Sequence, residues 1–204
     1  MTSKLEIIAR AASRTGNGVI TSLDDGSDVA TLTSQHYEGI VEEYLTQHGW
    51  KFARKVNAMQ LTELVPEDPW EQVWRKPTGL LSLHYVQDDT GLKVEAEERS
   101  TTQGACVVVL SEYETLYAVG TYRVDESEMP ADFVMGVEHR MRGIFYGGIA
   151  EQHDLAMQED RKAEQIIQRA RVRDQRASTP TDAGEWNLAA ARTRSAVWNR
   201  RGYR

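Results

Sequence analysis

The sequence predicts an α+β protein that is mainly α: a helical bundle over residues 1–177, a small antiparallel β-sheet inserted at about residues 70–123, and an extended C-terminal arm over residues 178–204. Three observations carry this expectation. Apolar residues recur at helical spacing on both sides of the insertion. Between them, Pro66, Pro69 and Pro77 interrupt the pattern and short β-branched runs follow. After the break "STPTDAGE", the last nineteen residues place Trp186, Trp198 and Tyr203 among five arginines and no acid.

The elements follow in order. "SKLEIIARAASRTGNG" sets Leu5, Ile8, Ala9 and Ala12 on one helical face, with Ser3 and Glu6 as a capping pair and Gly16 as a stop. Asp28 is a candidate cap for a second helix, in which Ala30, Tyr37, Ile40, Val41, Tyr44 and Leu45 share a face and Gly49 ends the run. "WKFARKVNAMQLTEL" keeps Trp50, Ala53, Val56 and Leu64 near helical register, so a third helix is expected over residues 50–64. On such a helix Lys51, Arg54 and Lys55 form a wet side beside buried Trp50 and Ala53.

Five short runs come next: "EQVWRKP", "LLSLHYVQ", "LKVEAEER", "ACVVVLS" and "TLYAVGTYR". The second and third flank "DDTG", and Leu92, Val94 and Ala96 alternate with Lys93, Glu95 and Glu97, as in a hairpin with one wet face. From Pro130 to about residue 177 the chain reads as helix again, with Phe133, Val137, Met141, Ile144 and Phe145 in register. Gly143, Gly147 and Gly148 permit close approach or a kink. Beyond residue 156 the helix is heavily charged, so it is expected to leave the core or to meet a partner.

Charge divides the chain more sharply than its net value of −7. Residues 1–160 carry 13 basic and 27 acidic side chains, and residues 161–204 carry 11 basic and 4 acidic ones. The body therefore repels polyanions, while the basic tail calls for an acidic surface or a nucleic acid. Cys106 is the single cysteine and lies in an apolar run, which predicts a buried, reduced thiol. The chain does not open on a basic then apolar leader, and it has no apolar stretch of about 18 residues. It is expected to be soluble and cytoplasmic, with no membrane contact.

Catalytic and metal signatures are lacking. The sequence has no His-Glu-x-x-His, no Gly-x-Ser-x-Gly, no phosphate loop and no zinc-type cysteine pair. His36, His48, His84, His139 and His153 share no ligand spacing and are expected at the surface or in packing. "DDGSD" could wrap a hard cation, but it has no distant bidentate glutamate, and Asp28 is better used as a cap. Glu112 and Glu114 are expected as exposed turn residues. No cofactor, metal or enzymatic activity is expected.

The arm is the candidate site. Trp186, Trp198 and Tyr203 supply apolar anchors, and Arg192, Arg194, Arg200, Arg201 and Arg204 supply planar donors suited to carboxylates. An idle tail would be poor in aromatics.

The ordered set Ser22, Leu23, Asp28, Tyr37, Trp50, Phe52 and Ala53, then Trp74, Pro77 and Leu80–Leu83, then "MPADFVMGVEHRMRGIFYGGIAE", resembles the head-to-tail adaptors of tailed bacteriophages. The nearest likeness is to the tail tubular protein A and head-completion adaptors of short-tailed phages, and it covers residues 3 to about 175. One departure is Arg75-Lys76 before Pro77, where the family often has Leu-Pro after the aromatic. The resemblance implies a homo-oligomeric ring of about twelve copies under the portal protein, closed by symmetry. It implies a channel for genomic DNA, a downstream tail or nozzle protein as partner, and an arm, residues 186–204, that docks on the portal. It also implies that Trp50 and Phe52 are core, with Lys51, Arg54 and Lys55 paired to acids of the same or a neighbouring copy. Two other classes stand beside it: a nucleic-acid-binding module using residues 161–204, and an enzyme acting on cell-wall polymer through paired carboxylates.

Overall fold

The computed structural model describes residues 2–16, 20–101 and 104–177. The chain divides into a unit of Met1–Arg171 and a second of Val172–Arg204. Of the second, the described residues are the last turn of a helix. All eight candidate arm residues lie outside the described residues.

The first helix, α1 (Lys4–Arg14), starts on Ser3, whose side chain accepts from the Glu6 N–H at 3.2 Å. Its buried face is Ile7, Ile8, Ala11 and Ala12, with Leu5 and Ala9 at the margin. The second, α2 (Asp28–Thr46), buries the six expected face residues. Its cap is Ser27, not Asp28: the Ser27 hydroxyl accepts from Ala30 N–H at 3.2 Å. Asp28 is the first helical residue, where its charge favours the positive end of the helix.

The expected third helix does not form. One tight turn places Trp50 and Ala53 in the core, and the chain then runs extended as β1 (Arg54–Ala58) and β2 (Gln60–Leu61). The i, i+3 spacing of Trp50 and Ala53 reports that turn alone. Val56, on the expected buried face, is 52% exposed. A distant partner strand outweighs weak local helix preference, since Val and Asn are indifferent helix formers.

Each of the five predicted runs forms a strand: β3 (Gln72–Arg75), β4 (Leu80–Gln87), β5 (Lys93–Val94) with β6 (Ala96–Thr101), β7 (Gly104–Val109) and β8 (Tyr117–Tyr122). They build two antiparallel sheets instead of one, in the orders β1-β8-β4-β5 and β2-β3-β7-β6, and the β region begins at Arg54 instead of about residue 70. The expected hairpin is cut short. β4 and β5 pair only at Val86↔Val94 and Gln87↔Lys93, after which the chain crosses to the other sheet. Asp88 holds the turn by accepting from the N–H groups of Thr90 and Leu92.

The sheets face each other across Met59, Trp74, Val86, Val107, Val109, Leu116 and Ala118. The opposite side of β7 carries Cys106 and Val108, which join Val73 beneath Leu64 and Trp70. The single thiol is thus buried, as expected. Gly120 sits in the middle of β8, where an added methyl group would overlap the carbonyl oxygen of Ser82 on β4. Gly120→Ala is expected to destabilise the body by about 1–3 kcal/mol through forced strand separation, read as a lower urea midpoint. A midpoint equal to wild type would remove the proposed overlap.

The expected continuous helix over residues 130–177 is two helices, α3 (Ala131–Gly148) and α4 (His153–Arg176). They part where Glu151 takes a left-handed conformation, φ 51°, and Gln152 N–H reaches back to Tyr146 O. Nor does the charged part of α4 leave the core. Glu159, Ala163, Ile167 and Ala170 form a narrow buried stripe, and Ile167 and Ala170 join the core of α1, α2 and α3. The result is a mixed α+β protein, with less helix than a mainly α reading requires.

Candidate functional site

Helix α4 is mostly polar, so little apolar area holds it, and two glycines of α3 compensate by letting it come close. A Cβ on Gly136 would lie 2.5 Å from Ile167 Cδ1, and one on Gly143 would meet the Asp160 carboxylate and the Ala156 carbonyl. Around this contact stands a charge cluster. His139 Nδ1 lies 2.6 Å from Glu159 Oε2, and Lys162 Nζ donates to Glu159 Oε1 at 2.6 Å. Arg142 donates to Glu138, and Arg10 of α1 approaches Glu138 at 3.5 Å. Arg140 reaches Asp160 at 2.8 Å.

Glu138, Arg142 and Glu159 are buried. Burial pushes the Glu159 carboxyl up, but hydrogen bonds from Lys162 and His139 outweigh it, so its pKa lies below the usual carboxylate value. A carboxylate held ionised by two donors is a poor proton acceptor, and the cluster therefore acts as a clamp on α4, the helix that leads into the arm.

The fold as a whole, the clamp included, has a pH signature. Glu38, bound by Lys4 and Arg123, also has a lowered pKa despite its partial burial. Both carboxylates contribute stability that is present above their ordinary value of about 4.5 and is lost as pH falls through their folded values. Burial and then the Arg54 charge lower the pKa of His84 from 6.5, so protonation of the unfolded chain weakens the fold below about pH 6.5. Urea midpoints are expected to drop from pH 8 to 5.5 and again below 4.5. A flat profile across both windows would contradict these assignments.

Two of the segments that carry the phage-adaptor resemblance meet in one place, the Trp50-Phe52 turn and the helix of Phe133. Trp50 packs edge-on to Phe133 at 5.3 Å and tilted to Phe52 at 5.6 Å, and Phe52 meets Phe133 at 5.3 Å. Trp50 Nε1–H donates to Tyr44 O at 2.7 Å, which anchors the end of α2. Tyr37 is fully buried, and its hydroxyl reaches Glu126 at 3.2 Å. Trp74 lies in the other core, between the sheets.

The basic residues around this knot are exposed: Lys55 pairs with Glu128 at 3.5 Å, and Arg54 reaches the Gly49 carbonyl at 3.4 Å. His48 meets Trp50 edge-on, His84 bonds to Thr121, His139 joins the clamp, and His36 and His153 are exposed. Among the described residues no group of three or more His, Cys, Asp or Glu is placed to hold a metal. Asp25 of "DDGSD" accepts from Ser27 N–H at 2.9 Å, as a turn residue does. Glu112 and Glu114 are exposed, as expected. Among the described residues no helix is long and apolar enough to cross a membrane.

Sequence periodicity missed the clamp, because Glu138 and Arg142 read as an ordinary i, i+4 surface pair and Glu159 as part of a wet helix. The one available signal was Gly136 and Gly143 at heptad spacing, which marks a face built for close approach. No protein-family model matches the chain, and no curated protein matches it.

Proposed function

We propose that the protein is a structural component of a bacteriophage virion, a head-to-tail adaptor at the junction of head and tail, assembled in the host cytoplasm. Copies would form a ring of about twelve beneath the portal, extend the DNA channel and offer a platform to the tail or nozzle protein. The observation that carries this reading is the packing of two of its motifs on each other. Trp50 and Phe52 meet Phe133, distant in sequence, in one aromatic knot at the junction of α2, β1 and α3.

The acidic body suits a conduit, since repulsion keeps phosphates from sticking to the wall. The arm, with Trp186, Trp198 and Tyr203 as anchors and arginines for carboxylates, is assigned to the portal. This role requires no catalysis and no cofactor.

One observation favours a second reading, a nucleic-acid-binding module. Arg161, Lys162, Arg169, Arg173 and Arg176 are all exposed on α4, just before the basic arm. Light scattering separates the two. An adaptor is expected to shift to a stoichiometric ring complex when its cognate portal is added, with no comparable shift on duplex DNA. No change with portal, together with DNA binding that falls steeply with salt, would replace the adaptor with the nucleic-acid module.

A further inference from the structure

The outermost strand of a sheet leaves a row of N–H and C=O groups without partners, and proteins usually protect such edges with proline, bulges or inward charges. Among the described residues β1 pairs only with β8 and β2 only with β3, while β5 pairs only with β4 and β6 only with β7. Met59 alone separates β1 from β2, and Glu95 alone separates β5 from β6. The two open edges on each side therefore lie together, β1 with β2 on one flank and β5 with β6 on the other. Three strand spacings, roughly 14 Å, separate the flanks. None of these four strands contains proline.

The flanks carry opposite charge. Residues 51–61 hold Lys51, Arg54 and Lys55 and no acid. Arg75, opposite Gln60 on β3, adds another exposed cation. Beside it lies a polar cavity of about 370 Å³ lined by Asn57, Gln60, Arg75, Lys76 and Thr78. Residues 88–101, to the end of β6, hold Asp88, Asp89, Glu95, Glu97 and Glu98 against Lys93 and Arg99. Lys76 takes Glu98 within the chain at 2.7 Å, and Arg99 takes Glu97 at 3.3 Å. Among the described residues no ion pair involves Arg75, Asp89 or Glu95. Each flank also exposes apolar side chains: Val56 at 52% and Leu61 at 53% on the basic one, Leu92 at 68% on the acidic one.

We propose that the β1–β2 flank of one copy docks on the β5–β6 flank of the next copy of this chain. Identical flanks repel, so a two-fold dimer through either is disfavoured, and the complementary contact repeats head to tail. The inference rests on the ring reading and names the surface that closes the ring.

The test uses the full chain with its cognate portal, measured by light scattering. Arg54→Glu with Lys55→Glu and Arg75→Glu makes both flanks acidic, and Asp89→Lys with Glu95→Lys and Glu97→Lys makes both basic. Each triple variant alone is expected to associate on the order of 100-fold more weakly than wild type, and an equimolar mixture is expected to regain the ring. A Val56→Cys, Glu97→Cys chain should oxidise into a ladder longer than dimer, because the native thiol is buried. Variants that assemble like wild type, or full-mass rings with no ladder, overturn the flank contact and leave the ring standing. A wild-type chain that never gains mass with portal overturns both.

Discussion

Trp50→Ala is expected to remove about 3–5 kcal/mol of stability, the range for truncating a large buried aromatic. Trp50 is 1% exposed and touches Phe52, Phe133 and His48, so its loss opens a cavity where α2, β1 and α3 meet. It also leaves the Tyr44 carbonyl without its indole donor. Small domains have about 5–15 kcal/mol in total, so the variant should be largely unfolded in mild denaturant. Trp50→Phe keeps most of the contact area but not the hydrogen bond, and it should lose less than the alanine variant. Urea unfolding of the three proteins checks this. An alanine variant within about 1 kcal/mol of wild type would remove Trp50 from the centre of the fold.

Removing residues 186–204 is expected to abolish portal attachment while the body keeps its stability to within about 0.5 kcal/mol. The deleted segment carries all the aromatic anchors and arginines assigned to docking. Aromatic and arginine anchors supply most of the binding free energy in typical interfaces, so the loss should be near complete. Co-sedimentation with portal reads attachment, and far-UV circular dichroism reads the body. A truncated chain that still docks would transfer the role to the exposed cations of α4. A truncated chain that no longer folds would mean that the segment belongs to the core.

Much of the helical half was legible because burial of one helix face leaves a local trace. Ile40, Val41, Tyr44 and Leu45 sit four, three and one residues apart, and all are buried in α2. The five β runs were legible for the same reason, since β-branched clusters bounded by turn residues are a short-range signal. The error at residues 50–64 shows the limit. Trp50, Ala53 and Val56 satisfy helical spacing, yet β1 forms because β8 lies beside it in space. Nor could spacing tell that Ser27, one residue before Asp28, caps α2, because both are good caps.

The sequence by itself determined the mixed composition of helix and strand, the buried thiol, the acidic body with its basic tail, and the aromatic character of the arm. Only the tertiary structure decided that the strands divide into two sheets, that their flanks carry opposite charge, and that His139, Arg142 and Glu159 fasten α4 to α3. The physical reason is range. A face or a cap is fixed within a few residues of chain, whereas a strand partner or buried ion pair depends on groups that only folding brings together.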